Sequence, residues 1–307
     1  MKAKTIKSVL RRKIDDWANS IIDETVRRLV LENTIVTGGS IASMLLKEQV
    51  NDFDIYFRNK ATVLAVANYY VDQFKKNPPT KFKDNPDKLA QIRVDCDEAG
   101  RVKVIVKSAG IASEDGAEDY QYFESADPEG TEAFDYVEQV MGAVEQPEGD
   151  DKPRYRPVFM TSNAITLSDK VQIVLRFYGE PDEIHKNYDF VHCTNYWTSN
   201  DGKLTLRPDA LEALLARELR YVGSLYPLCS VIRTRKFIKR DWTINAGQYL
   251  KMCMQISKLD LTNLATLEDQ MIGVDAAYFN EVVHKLREKD ATSVDSAYLI
   301  EIIDRIF

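Results

Sequence analysis

The chain has 307 residues, room for one large domain or two ordinary ones, and at 44% hydrophobic residues it can bury a sizeable core. No apolar run approaches the roughly 20 residues that span a bilayer, and the charged opening MKAKTIKSVLRRKIDDWANS lacks the apolar stretch of a signal peptide, so we expect a cytoplasmic protein without membrane contact. The net charge of −7 is unevenly spread: residues 108–151 hold 14 acidic side chains and no Lys or Arg, leaving 34 acidic against 41 basic residues elsewhere, an asymmetry that suits either a polyanionic partner for the basic body, such as RNA or DNA, or only a solvated acidic loop.

Residues 5 to about 32 read as one helix, because Val9, Ile14, Trp17, Ile21, Ile22, Val26 and Leu29 recur at helical spacing. A short apolar run, Thr34-Ile35-Val36, leads to Gly38-Gly39, and Ser40 is a good N-cap for a second helix. Phe53–Phe57 reads as a strand and residues 61–76 as another helix. Gln91–Val106 has the alternation of a hairpin with its turn at Glu98-Ala99-Gly100. The acidic segment follows as an insertion over 108–157. Its Tyr120, Tyr122, Phe123, Phe134, Tyr136 and Val137 are too apolar for a purely disordered linker, so we expect partial order. Strand candidates return at Asn163–Leu167, Val171–Phe177, Tyr188–His192 and Lys203–Leu206. After Pro208 the pattern is helical almost to the end, which sets a boundary near 207 between domains over 1–207 and 208–307.

Cys96, Cys193, Cys229 and Cys253 match no metal-ligand spacing and the three histidines are scattered, so the thiols read as reduced core residues and zinc is not expected.

The chemistry concentrates in Thr37–Phe57, TGGSIASMLLKEQVNDFDIYF. Paired glycines between a strand and a helix let backbone approach a ligand, and the helix's first turn offers unpaired N–H groups to a phosphate. The hydroxyl of Ser40 could add a donor. Asp52 and Asp54, at i and i+2, point to one face and offer the hard oxygens that magnesium prefers. Each half alone is usually structural; the order strand–GGS–helix–DxD–strand is far more specific.

At these residues the sequence resembles the DNA polymerase β-like nucleotidyltransferase superfamily. Gly38, Gly39 and Ser40 match its turn, and Asp52 and Asp54 its carboxylate pair. The third carboxylate of that pattern falls on Asp189 in Tyr188-Asp189-Phe190, with Asp95 and Asp97 as rivals. VQIVLRFYGEPDEIHKNYDFVHC and RTRKFIKRDWTINAGQYLKM are similar to nucleotidyltransferase-like proteins of tailed bacteriophages, over about residues 30 to 250 with gaps. The resemblance implies an α+β fold with a mixed sheet and helices, followed by a helical C-terminal domain. It implies an enzyme in which Asp52, Asp54 and Asp189 bind Mg2+ or Mn2+ and a nucleotide passes from an NTP to an acceptor hydroxyl. Phosphoryl transfer asks mainly for positioning and charge neutralisation, which carboxylate-held ions supply.

Arg233, Lys236 and Arg240 would share one face of a helix anchored by Ile232, Phe237 and Ile238, and could hold a triphosphate or a nucleic-acid backbone; a solvated face of ordinary charge is the plainer alternative. The basic body favours a nucleic-acid acceptor such as an RNA 3′ end. The alternatives are nucleotidylation of a protein, synthesis of a signalling nucleotide, or a non-catalytic nucleic-acid-binding or inhibitory protein on the same fold.

Overall fold

A computed structural model describes residues 1–78, 86–97, 100–105, 111–112 and 153–271. The aromatic residues expected to order the acidic insertion lie outside the described residues; of 108–157 only Ile111, Ala112 and residues 153–157 are described.

The N-terminal helical stretch is two helices, α1 (Ala3–Ser20) and α2 (Glu24–Asn33). Asp23 divides them: its carboxylate accepts from the amides of Thr25 and Val26 and caps α2. The break resets the helical phase, so Ile22 is 84% exposed while Ile21 and Val30 are buried. Strand β1 (Thr34–Thr37) follows, then α3 (Gly39–Leu46), β2 (Phe53–Phe57) and α4 (Lys60–Lys76). Helix α3 is capped by Gly38 and contains Ser40 inside its first turn, so the expected cap is displaced by two residues.

After α5 (Pro86–Gln91), β3 (Arg93–Cys96) and β4 (Val102–Ile105) pair as the expected hairpin in a separate two-stranded sheet. The remaining strands are β5 (Ile111–Ala112), β6 (Pro157–Met160), β7 (Ala164–Leu167), β8 (Val171–Val174), β9 (Tyr196–Thr198) and β10 (Leu204–Thr205). With β1 and β2 they form an eight-stranded sheet in the order β10-β9-β1-β2-β8-β7-β6-β5. Strand β2 is antiparallel to β1 and parallel to β8, so the sheet is mixed and the fold is α+β.

One sheet face carries Val36, Ile55, Phe57, Ile173 and Trp197 into a core closed by α1, α2 and α4, where the Trp17 indole donates to the Tyr70 hydroxyl at 2.7 Å. On the other face Ile35 and Tyr56 pack with Ile184, which comes from the segment after β8, in a small cluster. Between β8 and β9 lie a five-residue helix, α6 (Pro181–His185), and a 3-10 turn, Val191–Cys193. Helices α7 (Pro208–Ala216), α8 (Pro227–Ile238), α9 (Ala246–Ile256) and α10 (Leu264–Met271) make the described residues after 207 helical, as expected, while the expectation for 272–307 lies outside the described residues. Leu214, Tyr221, Trp242 and Met252 pack with Phe190 and with Ala42 of α3, joining this part to the site. Among the described residues no helix is long and apolar enough to cross a membrane.

Candidate nucleotide and metal site

The site begins where β1 turns into α3. Gly38 has φ +93° and ψ −151°, a backbone region nearly confined to glycine. Its amide donates to the Cys193 carbonyl at 3.1 Å, and a Cβ built on it would stand 2.7 Å from Asp54 Oδ2. Gly39 has ordinary helical geometry and open space around it, so the special backbone expected of the glycine pair belongs to Gly38 alone. Ser40 is 2% exposed, and its hydroxyl has no hydrogen-bond partner.

Register places Asp54 directly opposite Thr37. Paired residues of an antiparallel ladder share a face, so Asp54 lies on the same side as Thr37, Ile35 and Tyr56. Burial pushes the Asp54 carboxyl well above the usual carboxylate range, and Asp52 adds to the shift; Lys236 and Arg233 act in the opposite sense. Two carboxylates thus stand within electrostatic reach of each other, with two cations of α8 facing them.

Asp189 joins this group from another direction. It is 6% exposed, and Oδ2 is ion-paired with Arg233 while Oδ1 has no hydrogen-bond partner. The half-buried Cys193 thiol, pushed up to about 12, is raised first by desolvation, then by Asp54, then by Asp189. Cys193 and Arg233 therefore link Asp189 to Asp54. Asp189 is not on a strand as expected: only Phe190 bridges, to Tyr221, with Val191 N–H donating to Arg220 O and Val222 N–H to Asp189 O. The chain then tightens into the 3-10 turn, which brings the Cys193 carbonyl to Gly38. The rivals Asp95 and Asp97 lie at the other sheet, where Asp95 accepts from the Cys96 amide and Asp97 pairs with Arg101.

The basic residues divide. Arg233 and Lys236 are on α8 and bear on Asp54. Arg240 lies beyond the end of that helix, because the chain turns at Lys239–Asp241; it lines a small hollow with Gly39, Ala42 and Trp242. The buried face of α8 is Cys229, Ser230 and Thr234 with Phe237 beside it, while Ile238 is 47% exposed rather than an anchor. Tyr56, Tyr188, Thr37 and Cys193 also wall the site. Sequence reasoning missed them as site residues, although Tyr188 adjoins Asp189 and Thr37 opens the glycine motif. Among the described residues no three His, Cys, Asp or Glu side chains stand together as a ready metal-ligand cluster, so Asp52, Asp54 and Asp189 do not form the expected trio here, and Asp189 is ion-paired with Arg233 instead.

Among solved structures, the chain is similar to the Thermotoga maritima CCA-adding enzyme complexed with tRNA, at 12% identity and TM-score 0.38, over 84% of this chain and 49% of the other. It is also similar to a tRNA nucleotidyltransferase complexed with a primer tRNA and an incoming ATP analog, at 11% identity and TM-score 0.33, over 84% and 57% of the two chains. A stretch of 139 residues is 22% identical to the Gabija anti-defense 2 protein of Bacillus phage SPbetaL7; it covers 45% of this chain and about a third of that protein (33%). The Gabija anti-defense 2 (Gad2) family pattern matches residues 8–217, from α1 to the end of α7. That span is more than half of the chain and includes the glycine turn, the carboxylate pair and Asp189. On that match, the chain belongs to the Gabija anti-defense 2 family.

Proposed function

We propose that the chain is a metal-dependent nucleotidyltransferase moving a nucleotide from an NTP to an acceptor hydroxyl, and that it works in this way as a counter-defence protein. The observation that supports the reading best is the half-buried carboxyl of Asp54, close against Gly38 and raised by desolvation and by Asp52. Acidic groups that close are costly without a cation between them. The orphaned oxygens Ser40 Oγ and Asp189 Oδ1 fit the same demand.

Asp52 and Asp54 would hold Mg2+ or Mn2+, with Asp189 joining once Arg233 lets go. A bound ion would neutralise phosphate charge and lower the pKa of the acceptor hydroxyl. The chain's own groups supply the rest. Free amides of α3's first turn and the Ser40 hydroxyl bind phosphate oxygens. Arg233 and Lys236 offset the charge that gathers on them. Tyr56 and Tyr188, whose rings meet at 6.0 Å, exclude water from one side.

The test is incubation with each labelled NTP, Mg2+ or Mn2+, and separate cellular RNA, DNA, protein and small-molecule fractions, with Asp54→Ala as control. Label in one fraction that vanishes with the variant supports transfer. A second reading, a non-catalytic inhibitor on this fold, draws support from the Asp189–Arg233 pair, which occupies one carboxylate without any ion. Counter-defence retained by Asp54→Ala would favour it.

A further inference from the structure

Beside the carboxylates, on the same face of the sheet, is a cleft of about 520 Å3 walled by α6, the 3-10 turn and the start of α7. That volume falls within the range of small-molecule sites, roughly 300–1,000 Å3. His185 lines it and is only 7% exposed. Its Nε2 lies 2.9 Å from Thr37 Oγ1, and the Thr37 hydroxyl donates to the Asn195 carbonyl at 2.9 Å, with the Cys193 carbonyl at 3.3 Å.

A hydroxyl has one proton. Thr37 directs it to a backbone carbonyl and must accept from His185, so Nε2 carries the imidazole proton. Nδ1 is then a bare lone pair, and it has no hydrogen-bond partner in the structure. Burial, helped by Arg207, lowers the His185 pKa to about 4, so the ring is neutral at physiological pH. A buried acceptor without a donor costs about 1–3 kcal/mol, and a ligand can supply the donor.

The charges around the cleft say which kind of ligand. Lys186 and Arg207 balance Asp182 and Asp209. Arg207 is ion-paired with Asp182, and its guanidinium lies 5.7 Å from the Tyr196 ring centroid. A phosphodiester backbone needs surplus cations, and this rim has none to spare.

We propose that the cleft binds the uncharged, hydroxyl-bearing part of a small substrate, which donates an O–H or N–H to His185 Nδ1, and that no nucleic-acid strand lies there. The proposal deepens the transferase reading and rests on it for the two sources of such a group: the nucleoside of the donor, or a small hydroxyl acceptor.

Nitrogen-15 NMR of the imidazoles in the full-length protein tests it. Free protein should show His185 as the Nε2–H tautomer with a bare Nδ1. Adenosine, or one of L-serine, L-threonine, glycerol and glucose, should shift Nδ1 towards a hydrogen-bonded value at millimolar concentration, and the responding arm identifies the source. Asp54→Asn should respond like wild type, since the cleft needs neither metal nor transfer. His185→Phe should weaken the probe about tenfold, the loss of one net hydrogen bond. Thr37→Val, which keeps the shape, should release the tautomer preference. A probe that binds while no NTP yields product supports the cleft and counts against the transferase. A free-state Nδ1–H tautomer, no shift with any small probe, or a shift produced only by a 12-nucleotide RNA overturns the proposal.

Discussion

A side chain on Gly38 would collide with Asp54: the Cβ would lie 2.7 Å from Oδ2, at a φ of +93° that other residues rarely adopt. The turn and the carboxylate are thus one steric unit. Gly38→Ala should cost about 1–3 kcal/mol in backbone strain and abolish Mg2+-dependent NTP binding. Gly39→Ala, with nothing within 4 Å of the new methyl, should leave both unchanged. Calorimetry with a non-hydrolysable NTP and thermal unfolding check the pair; equal behaviour of the two variants would sever turn from carboxylate.

Asp54→Asn should stabilise the fold and end transfer. The Asp54 carboxyl keeps its proton to higher pH when folded, by burial and by Asp52. Stability from this group is therefore lost as pH rises above about 3.8, and neutral pH lies on the unfavourable side. Removing the charge should raise stability by about 1 kcal/mol, or ~2–4 °C in Tm. Mg2+ should raise the Tm of wild type and not of the variant.

Arg233→Ala should be costly, because Asp189 would remain buried without its cation. Loss of one partner of a buried pair typically costs 3–5 kcal/mol; with Arg233 39% exposed, ~2–3 kcal/mol is the better expectation. Adding Asp189→Asn should recover most of it in a double-mutant cycle. Mg2+ should partly rescue the single variant if Asp189 can serve as a ligand.

His192 is 1% exposed, lies among Phe190, Phe237 and Trp242, and has no partner on either ring nitrogen. Burial lowers its pKa to about 3, and that of His185 to about 4. The unfolded chain binds these protons first, so stability falls as pH drops from about 6.5 towards these values. Each lost unit of pH costs up to about 1.4 kcal/mol per residue. His192→Phe should shift acid unfolding to lower pH without loss of stability at pH 7, as circular dichroism would show.

The glycine turn and Asp52-Phe53-Asp54 were legible because a strand, a cap and a second strand follow one another within 24 residues, Thr34–Phe57, where local periodicity decides structure. Asp189 was legible as a buried aspartate among apolar residues, but its backbone was not. A single bridge to Tyr221 and a 3-10 turn replace the strand, and that depends on contacts with Arg220 and Val222 that no local window contains. The helix over 5–32 failed for the opposite reason: a local cap, Asp23, outweighed a continuous apolar pattern. His185 could not be singled out because its significance lies in a hydroxyl 148 positions away.

Strand β2 has its parallel neighbour, β8, and its facing cations, Arg233 and Lys236, far downstream. On the ribosome the acidic pair is therefore made early and must wait for both. Until β8 emerges, one edge of β2 has no ladder; until α8 emerges, Asp189 has no counter-ion. A product truncated before residue 233 would keep every motif of the glycine turn and the acidic pair, yet carry Asp189 uncompensated. Such a fragment should be a poor competitor rather than a weaker version of the whole, and its appearance in the cell should be followed by proteolysis rather than by partial activity.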